Sequence, residues 1–195
     1  MGARVALAAL CACVGFAAGC ASDPAHFYTL SVLAVPGASP SKIAIAVGPV
    51  AVPASVDRPQ FVVSTGANQV TFDEFNRWAA PLQDSIARVV AEDVGAALGT
   101  PRVTLYPQAL GTEADYRVQI EIRTFESTLG KSAAQDAVWS VRRTKGGKTE
   151  TGRTSVRESV QDGSYEALAA AHSRALARLS QDIVDAIRTL EHAAP

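Results

Sequence analysis

The chain has 195 residues, with 18 Lys or Arg against 19 Asp or Glu, a net charge of −1. That balance offers no concentrated basic face of the kind nucleic-acid binding needs. The length suits one ordinary domain that buries its own core without staples.

The N-terminus carries the first signal. Met1 to Arg4 has one positive charge, Val5 to Ala18 has none, and Ala17-Ala18-Gly19 places small side chains directly ahead of Cys20. A basic start, an apolar stretch and a small-residue cleavage site are the layout of a secretory signal. The uncharged run is shorter than the ~20 residues a spanning helix requires. Ala6 stands where a myristoylation signal has Ser or Thr. With Cys at the junction, residues 1–19 read as a bacterial lipoprotein signal peptide, and Cys20 as the lipid-attachment residue and new N-terminus. The alternative is an ordinary soluble secreted protein. Ala21 follows the cysteine, where an Asp would favour inner-membrane retention in Gram-negative sorting, so the outer membrane is the expected address.

Arg4 is the only charged residue in the signal, so the mature chain has 17 basic and 19 acidic residues. Cys11 and Cys13 leave with the signal, and Cys20 remains as the sole mature cysteine. No intramolecular disulfide is then possible, and an acylated Cys20 has no thiol for metal or catalysis. Residues 20–25 form a lipidated tether reaching about 20 Å at full extension. Residues 26–195 form the domain, held close to its membrane.

Within the domain, His26 to Leu30 is strand-like, Pro36 to Pro40 a loop, and Ile43 to Val47 a strand. Gln60 to Val63 and Gln69 to Phe72 make two short strands around a Gly66-Ala67-Asn68 turn. Leu82, Ile86, Val89, Val90, Val94 and Leu98 recur at helical spacing. Pro81 suits the first turn of that helix, and Gly99 and Pro101 stop it. Arg102 to Tyr106 is compatible with a strand. Tyr116, Val118, Ile120 and Ile122 alternate with polar residues, the pattern of a half-buried strand with one wet face. Ala137, Trp139 and Val141 continue the β pattern. Gly146-Gly147 turns the chain into a partner strand around Thr151 to Val160, and Arg142, Arg143, Lys145 and Lys148 crowd that turn as a solvated tip. Ser164 caps a long helix whose stripe is Leu168, Leu176, Leu179, Ile183, Ile187 and Leu190. The expected fold is α+β: an antiparallel sheet with two amphipathic helices packed on one face.

Chemistry is sparse. No HExxH, Cys/His cluster, P-loop or GxSxG occurs, so no metal, cofactor or catalytic site is expected. Asp73/Glu74 and Glu92/Asp93 read as solvated charge rather than acid–base pairs. His172 falls on the apolar stripe of the last helix, as a core or interface histidine would. An envelope hydrolase would need a serine activated by that histidine. The stretch that local structure does not absorb is Val50 to Leu82. Prolines 53 and 59 bracket Asp57-Arg58 and restrict the backbone on both sides. Asn76-Arg77-Trp78 then places a large aromatic at the expected start of a helix. Trp78 reads either as a core plug with Arg58 as its surface partner or as part of a contact surface, where Trp and Arg dominate binding energetics.

Phe27-Tyr28-Thr29-Leu30, Val47-Gly48-Pro49-Val50 through Pro53, Asp57-Arg58-Pro59-Gln60, Arg77-Trp78-Ala79 with Pro81-Leu82, and Leu179-Ser180 with Asp182-Ile183 occur in this order. The ordered set resembles the PqiC-type ABC-transport auxiliary lipoproteins over essentially the whole mature chain. The resemblance implies a periplasm-facing outer-membrane lipoprotein with no enzymatic chemistry. It would work beside an ABC transporter whose MCE-domain partner moves lipid across the envelope. Asp57, Arg58, Pro59, Gln60, Arg77 and Trp78 are the candidate contacts with that partner, or with neighbouring copies in a homo-oligomeric ring. The competing reading is a general envelope-stability lipoprotein that binds peptidoglycan or an outer-membrane protein, without a transport role.

Overall fold

A computed structural model describes residues 23–37, 39–107 and 113–192; the signal segment and Cys20 lie outside the described residues. Eight strands and two helices follow in order: β1 (His26–Tyr28), β2 (Ile45–Ala51), β3 (Gln60–Gly66), β4 (Gln69–Trp78), α1 (Leu82–Leu98), β5 (Val103–Leu105), β6 (Tyr116–Thr128), β7 (Ser132–Arg143), β8 (Thr149–Ser159) and α2 (Tyr165–His192). They form one sheet in the order β1-β4-β3-β6-β2-β5, with β7 and β8 added on the other side of β6.

The fold is α+β as expected, but the sheet is mixed rather than antiparallel. β3–β4, β6–β7 and β7–β8 pair antiparallel, while β1–β4, β2–β5, β2–β6 and β3–β6 pair parallel. Alternation of apolar and polar residues reports which face a strand buries and not which way its neighbour runs. Direction here is set by the long connections, which bring β2 and β3 to the same side of β6. β2 lies along Tyr116–Glu121 and β3 meets β6 at Ser127.

Both helices cover one face. The predicted stripes of α1 and α2 are buried and share one core with the inward residues of the strands. Gly99 ends α1 in the left-handed region at φ 65°, its N–H bonded to the Ala96 carbonyl. Ser164 caps α2, its Oγ accepting from the Ala167 N–H at 3.1 Å. Across the sheet, Gly152 sits opposite Trp139, and any Cβ at that position would enter the indole ring. The indole N–H donates to Thr154 Oγ1 at 3.0 Å, and that hydroxyl donates to Asp182 of α2 at 2.6 Å.

Two further expectations change. Trp78 ends β4 instead of beginning a helix, and β4 runs well past Phe72. The period is hidden because residues 74–76 bulge: Phe61 pairs with Asp73, yet the preceding residue, Gln60, pairs with Arg77. Asp73 Oδ1 holds the bulge by accepting the N–H groups of Phe75 and Asn76, each at 2.9 Å. Asp93, read as solvated charge, is fully buried on α1. Its Oδ1 accepts the N–H groups of Leu33 and Ala34 at 2.9 and 2.8 Å, and its Oδ2 accepts the Ser180 hydroxyl at 3.3 Å. One carboxylate thus fastens the segment after β1 to both helices.

The topology also fixes orientation. β1 and β4 run opposite to β6, so the chain enters β1 toward the end where β6 finishes. The basic β7–β8 turn lies at the other end, where Tyr116 opens β6 opposite Arg143.

Candidate functional site

The Pro53–Gln60 segment is pinned by its own backbone. Val56 and Asp57 N–H groups donate to the Pro53 carbonyl at 3.0 and 3.1 Å, and the Pro59 carbonyl accepts from Trp78 N–H at 2.7 Å. The last bond ties the loop to the end of β4. Asp57, Arg58, Pro59 and Trp78, with Ala79 to Leu82, line an open pocket of about 330 Å³. Four of the six predicted contact residues therefore meet in one concavity.

The other two stand beside it. Glu74 Oε2 accepts from Gln60 Nε2 at 3.2 Å and pairs with Arg77 Nη2 at 3.3 Å, while Arg77 Nε donates to the Glu74 carbonyl at 2.7 Å. Glu74 is thus a member of the cluster that sequence reasoning set aside as solvated charge. The signal was available: a carboxylate three residues before Arg77 in a segment whose β period breaks.

Arg58 lies with its guanidinium 3.9 Å from the centroid of Phe72. Its Nε is buried without a hydrogen-bond partner among the described residues. The ring face holds the cation by electrostatic attraction while the rest of the head group borders the pocket. Asp57 is exposed at the rim.

Trp78 belongs to the core as much as to the pocket. It is 6% exposed and stacks on Phe61 at a centroid distance of 4.1 Å. Phe61 in turn meets Tyr28 at 5.5 Å and Tyr165 at 5.2 Å, both edge-on. The Tyr165 hydroxyl donates to Asp73 Oδ2 at 2.7 Å. Burial pushes the Asp73 carboxyl up, but the Tyr165 hydroxyl and the two backbone N–H groups outweigh it and hold the group below the usual carboxylate range. The pocket floor is therefore rigid aromatic packing, continuous with β1, β3 and α2.

His172 does meet a serine. Ser127 Oγ and His172 Nε2 are 2.8 Å apart, with the imidazole stacked on Phe125 at 3.8 Å. The pair is sealed in the core, and His172 Nδ1 has no partner among the described residues to orient it. Burial lowers the imidazole pKa from 6.5 to about 3. A base so averse to protonation is unsuited to taking a serine proton near neutral pH. Its measurable effect is on stability. In the unfolded chain the imidazole gains a proton below pH 6.5, and in the folded chain it does not until about pH 3. The stabilisation is complete above pH 6.5 and falls by about 1.4 kcal/mol per pH unit as the pH drops toward the folded value. Urea denaturation followed down to about pH 5 should show this slope in the wild-type chain. It should be shallower by that amount in H172F/S127A, which keeps the ring on Phe125 and orphans no hydroxyl.

No group of three or more His, Cys, Asp or Glu among the described residues is placed to hold a metal. No described helix is long and apolar enough to cross a membrane.

The sequence model of the ABC-type transport auxiliary lipoprotein component family matches residues 28–184. The chain belongs to this family. Among solved structures, an uncharacterised protein superposes on this chain with a TM-score of 0.70 at 18% identity, over 85% of this chain and 99% of the other. A protein of Xanthomonas campestris superposes with a TM-score of 0.68 at 17% identity, over 86% and 99%. At such identities the likeness concerns the fold. No curated protein matches this chain.

Proposed function

We propose that this auxiliary lipoprotein is a non-catalytic docking module of an ABC lipid transporter, anchored by acyl chains on Cys20 to the periplasmic face of the outer membrane. Its partner is the MCE-domain protein that carries lipid between the membranes. Membership of the transport-auxiliary family carries the reading. The anchor follows from the small-residue junction before Cys20, and each buried CH₂ of an acyl chain adds ~0.8 kcal/mol to membrane attachment.

The partner meets the Pro53–Gln60 loop and the pocket beside it. This surface is preorganised, because its backbone is bonded to itself and to β4, so little conformational entropy is lost on docking. Asp57 and Arg58 supply the charged contacts, Gln60 and Arg77 the flank bridged by Glu74, and Pro59 and Trp78 the apolar wall. Copies of the chain around one partner would use the same loop. Co-purification of the MCE-domain protein tests the assignment, using Asp57→Ala and Arg58→Ala variants whose circular dichroism matches wild type. Each is expected to weaken capture by about tenfold or more, the range of interface hot spots. Undiminished capture by both would remove this surface from the account.

A further inference from the structure

The outer face of the sheet, away from the helices, carries exposed aromatic residues at one end. Phe27 of β1 is 63% exposed and Phe75 of β4 is 44% exposed. Phe27 pairs with Arg77, and Phe75 lies in the bulge two residues before it, so the two exposed rings come from adjacent strands in one short stretch of the sheet, beside the Arg77–Glu74 ion pair. Tyr28, Asn76 and Trp78 point the other way: the Tyr28 hydroxyl donates to Asn76 at 2.7 Å, and Trp78 is in the core. Further along β4, Val70 is 50% exposed and continues the apolar surface toward the β3–β4 turn. Phe72, between Val70 and Phe75 on the same strand, is 43% exposed and carries the Arg58 guanidinium over its ring, and no cation–ring contact of that kind is present at Phe27 or Phe75 among the described residues.

The chain ahead of β1 says what lies nearby. Only the residues between Cys20 and Phe27 separate the acylated terminus from the first exposed ring, a reach of at most about 25 Å. The tether enters at the end of the sheet that holds Phe75, while the basic β7–β8 turn is at the opposite end. The anchor therefore holds this aromatic part of the sheet within about 25 Å of the bilayer, and the strongly cationic turn lies at the opposite end of the sheet. Aromatic side chains favour the membrane–water interface, where an apolar ring can leave water without entering the hydrocarbon fully.

We infer that Phe27 and Phe75 form a membrane-contact patch that seats the domain on the lipid surface to which Cys20 is anchored. This rests on the acylation of Cys20 in the proposed function and adds an orientation to it. The basic turn then serves the far end of the domain and not the membrane.

The cysteine content makes the test clean, because an introduced cysteine is the only thiol in the acylated mature chain. Phe27→Cys, Phe75→Cys and Lys145→Cys are each labelled with an environment-sensitive fluorophore in the lipidated protein. Each is then bound to phosphatidylethanolamine–phosphatidylglycerol vesicles containing a nitroxide-labelled lipid. Labels at 27 and 75 are expected to lose most of their fluorescence, and the label at 145 to keep it. Vesicle-bound protein whose labels at 27 and 75 are unquenched would overturn the patch while leaving the anchor intact. Emission shifted equally with and without vesicles, and dependent on protein concentration, would assign the patch to a second copy and also overturn it. Wild-type protein that fails to float with vesicles would defeat the acylation reading itself, and the patch with it.

Discussion

Phe61→Ala is expected to lower the free energy of unfolding by about 3–5 kcal/mol, the range for deleting a fully buried aromatic ring. The ring is completely buried and contacts Trp78, Tyr28 and Tyr165. These come from β4, β1 and α2, so one side chain joins the β3–β4 hairpin to two elements distant in sequence. Truncation removes its own transfer free energy and leaves a void walled by three rings that are themselves fixed. The Tyr28 and Tyr165 hydroxyls are hydrogen-bonded to Asn76 and Asp73, which limits collapse into the gap. Cavities that cannot relax lie at the costly end of the range. The consequence reaches the candidate site, because Trp78 forms one wall of the pocket. Urea denaturation measures the loss, and Phe27→Ala is the comparison: that ring is exposed, and its removal should change stability by less than about 0.5 kcal/mol.

Asp93→Ala is the second large effect, with an expected loss of about 3 kcal/mol. The carboxylate accepts two backbone N–H groups from the segment after β1 and one hydroxyl from α2. Removing it leaves those donors without their acceptor, and each unsatisfied buried group costs about 1–3 kcal/mol. Asp93→Asn separates charge from hydrogen bonding. Its amide oxygen can still accept from Leu33 and Ala34, so it should lose less than half as much. Equal losses in the two variants would mean that the negative charge, and not the acceptor geometry, holds the segment. Amide hydrogen exchange at Leu33 and Ala34 would locate the opening in the Ala variant and its absence in the Asn variant.

The sequence disclosed most where a regular period met a definite stop. Leu82 to Leu98 and Leu168 to Leu190 declared both helices because their apolar residues recur at helical spacing, with Gly99 and Ser164 marking an end and a beginning. β6 was equally plain from Tyr116 to Ile122. Strand direction was not legible, since Val47 looks the same beside a parallel or an antiparallel neighbour. β4 was only half visible. Its bulge leaves Asp73 and Asn76 at inward positions where alternation demands an apolar residue, and the stabilising bonds from Asp73 run to backbone N–H groups that no side-chain pattern encodes. Trp78 was misplaced for the same reason, since Pro81 made a helix start plausible three residues too early.

For the candidate site, the paired prolines correctly suggested that Asp57-Arg58 is held, and the structure supplies the hydrogen bonds that hold it. What could not be read was the division of labour between Arg58 and Trp78. The indole turned inward to Phe61, and the guanidinium stacked on Phe72, a ring contributed by the neighbouring strand. Buried Asp93 was hidden for a simpler reason: its partners are backbone groups about 60 residues earlier, a long-range accounting that local pattern does not contain.

Anchoring through Cys20 underlies both the proposed function and the seating of Phe27 and Phe75 on the membrane. Metabolic labelling with palmitate, comparing wild type and Cys20→Ser, tests it most directly. The account predicts label on the wild-type chain in the outer-membrane fraction and none on Cys20→Ser, which should stay unprocessed. Equal label in both, or a mature wild-type chain free in the periplasm, would contradict it.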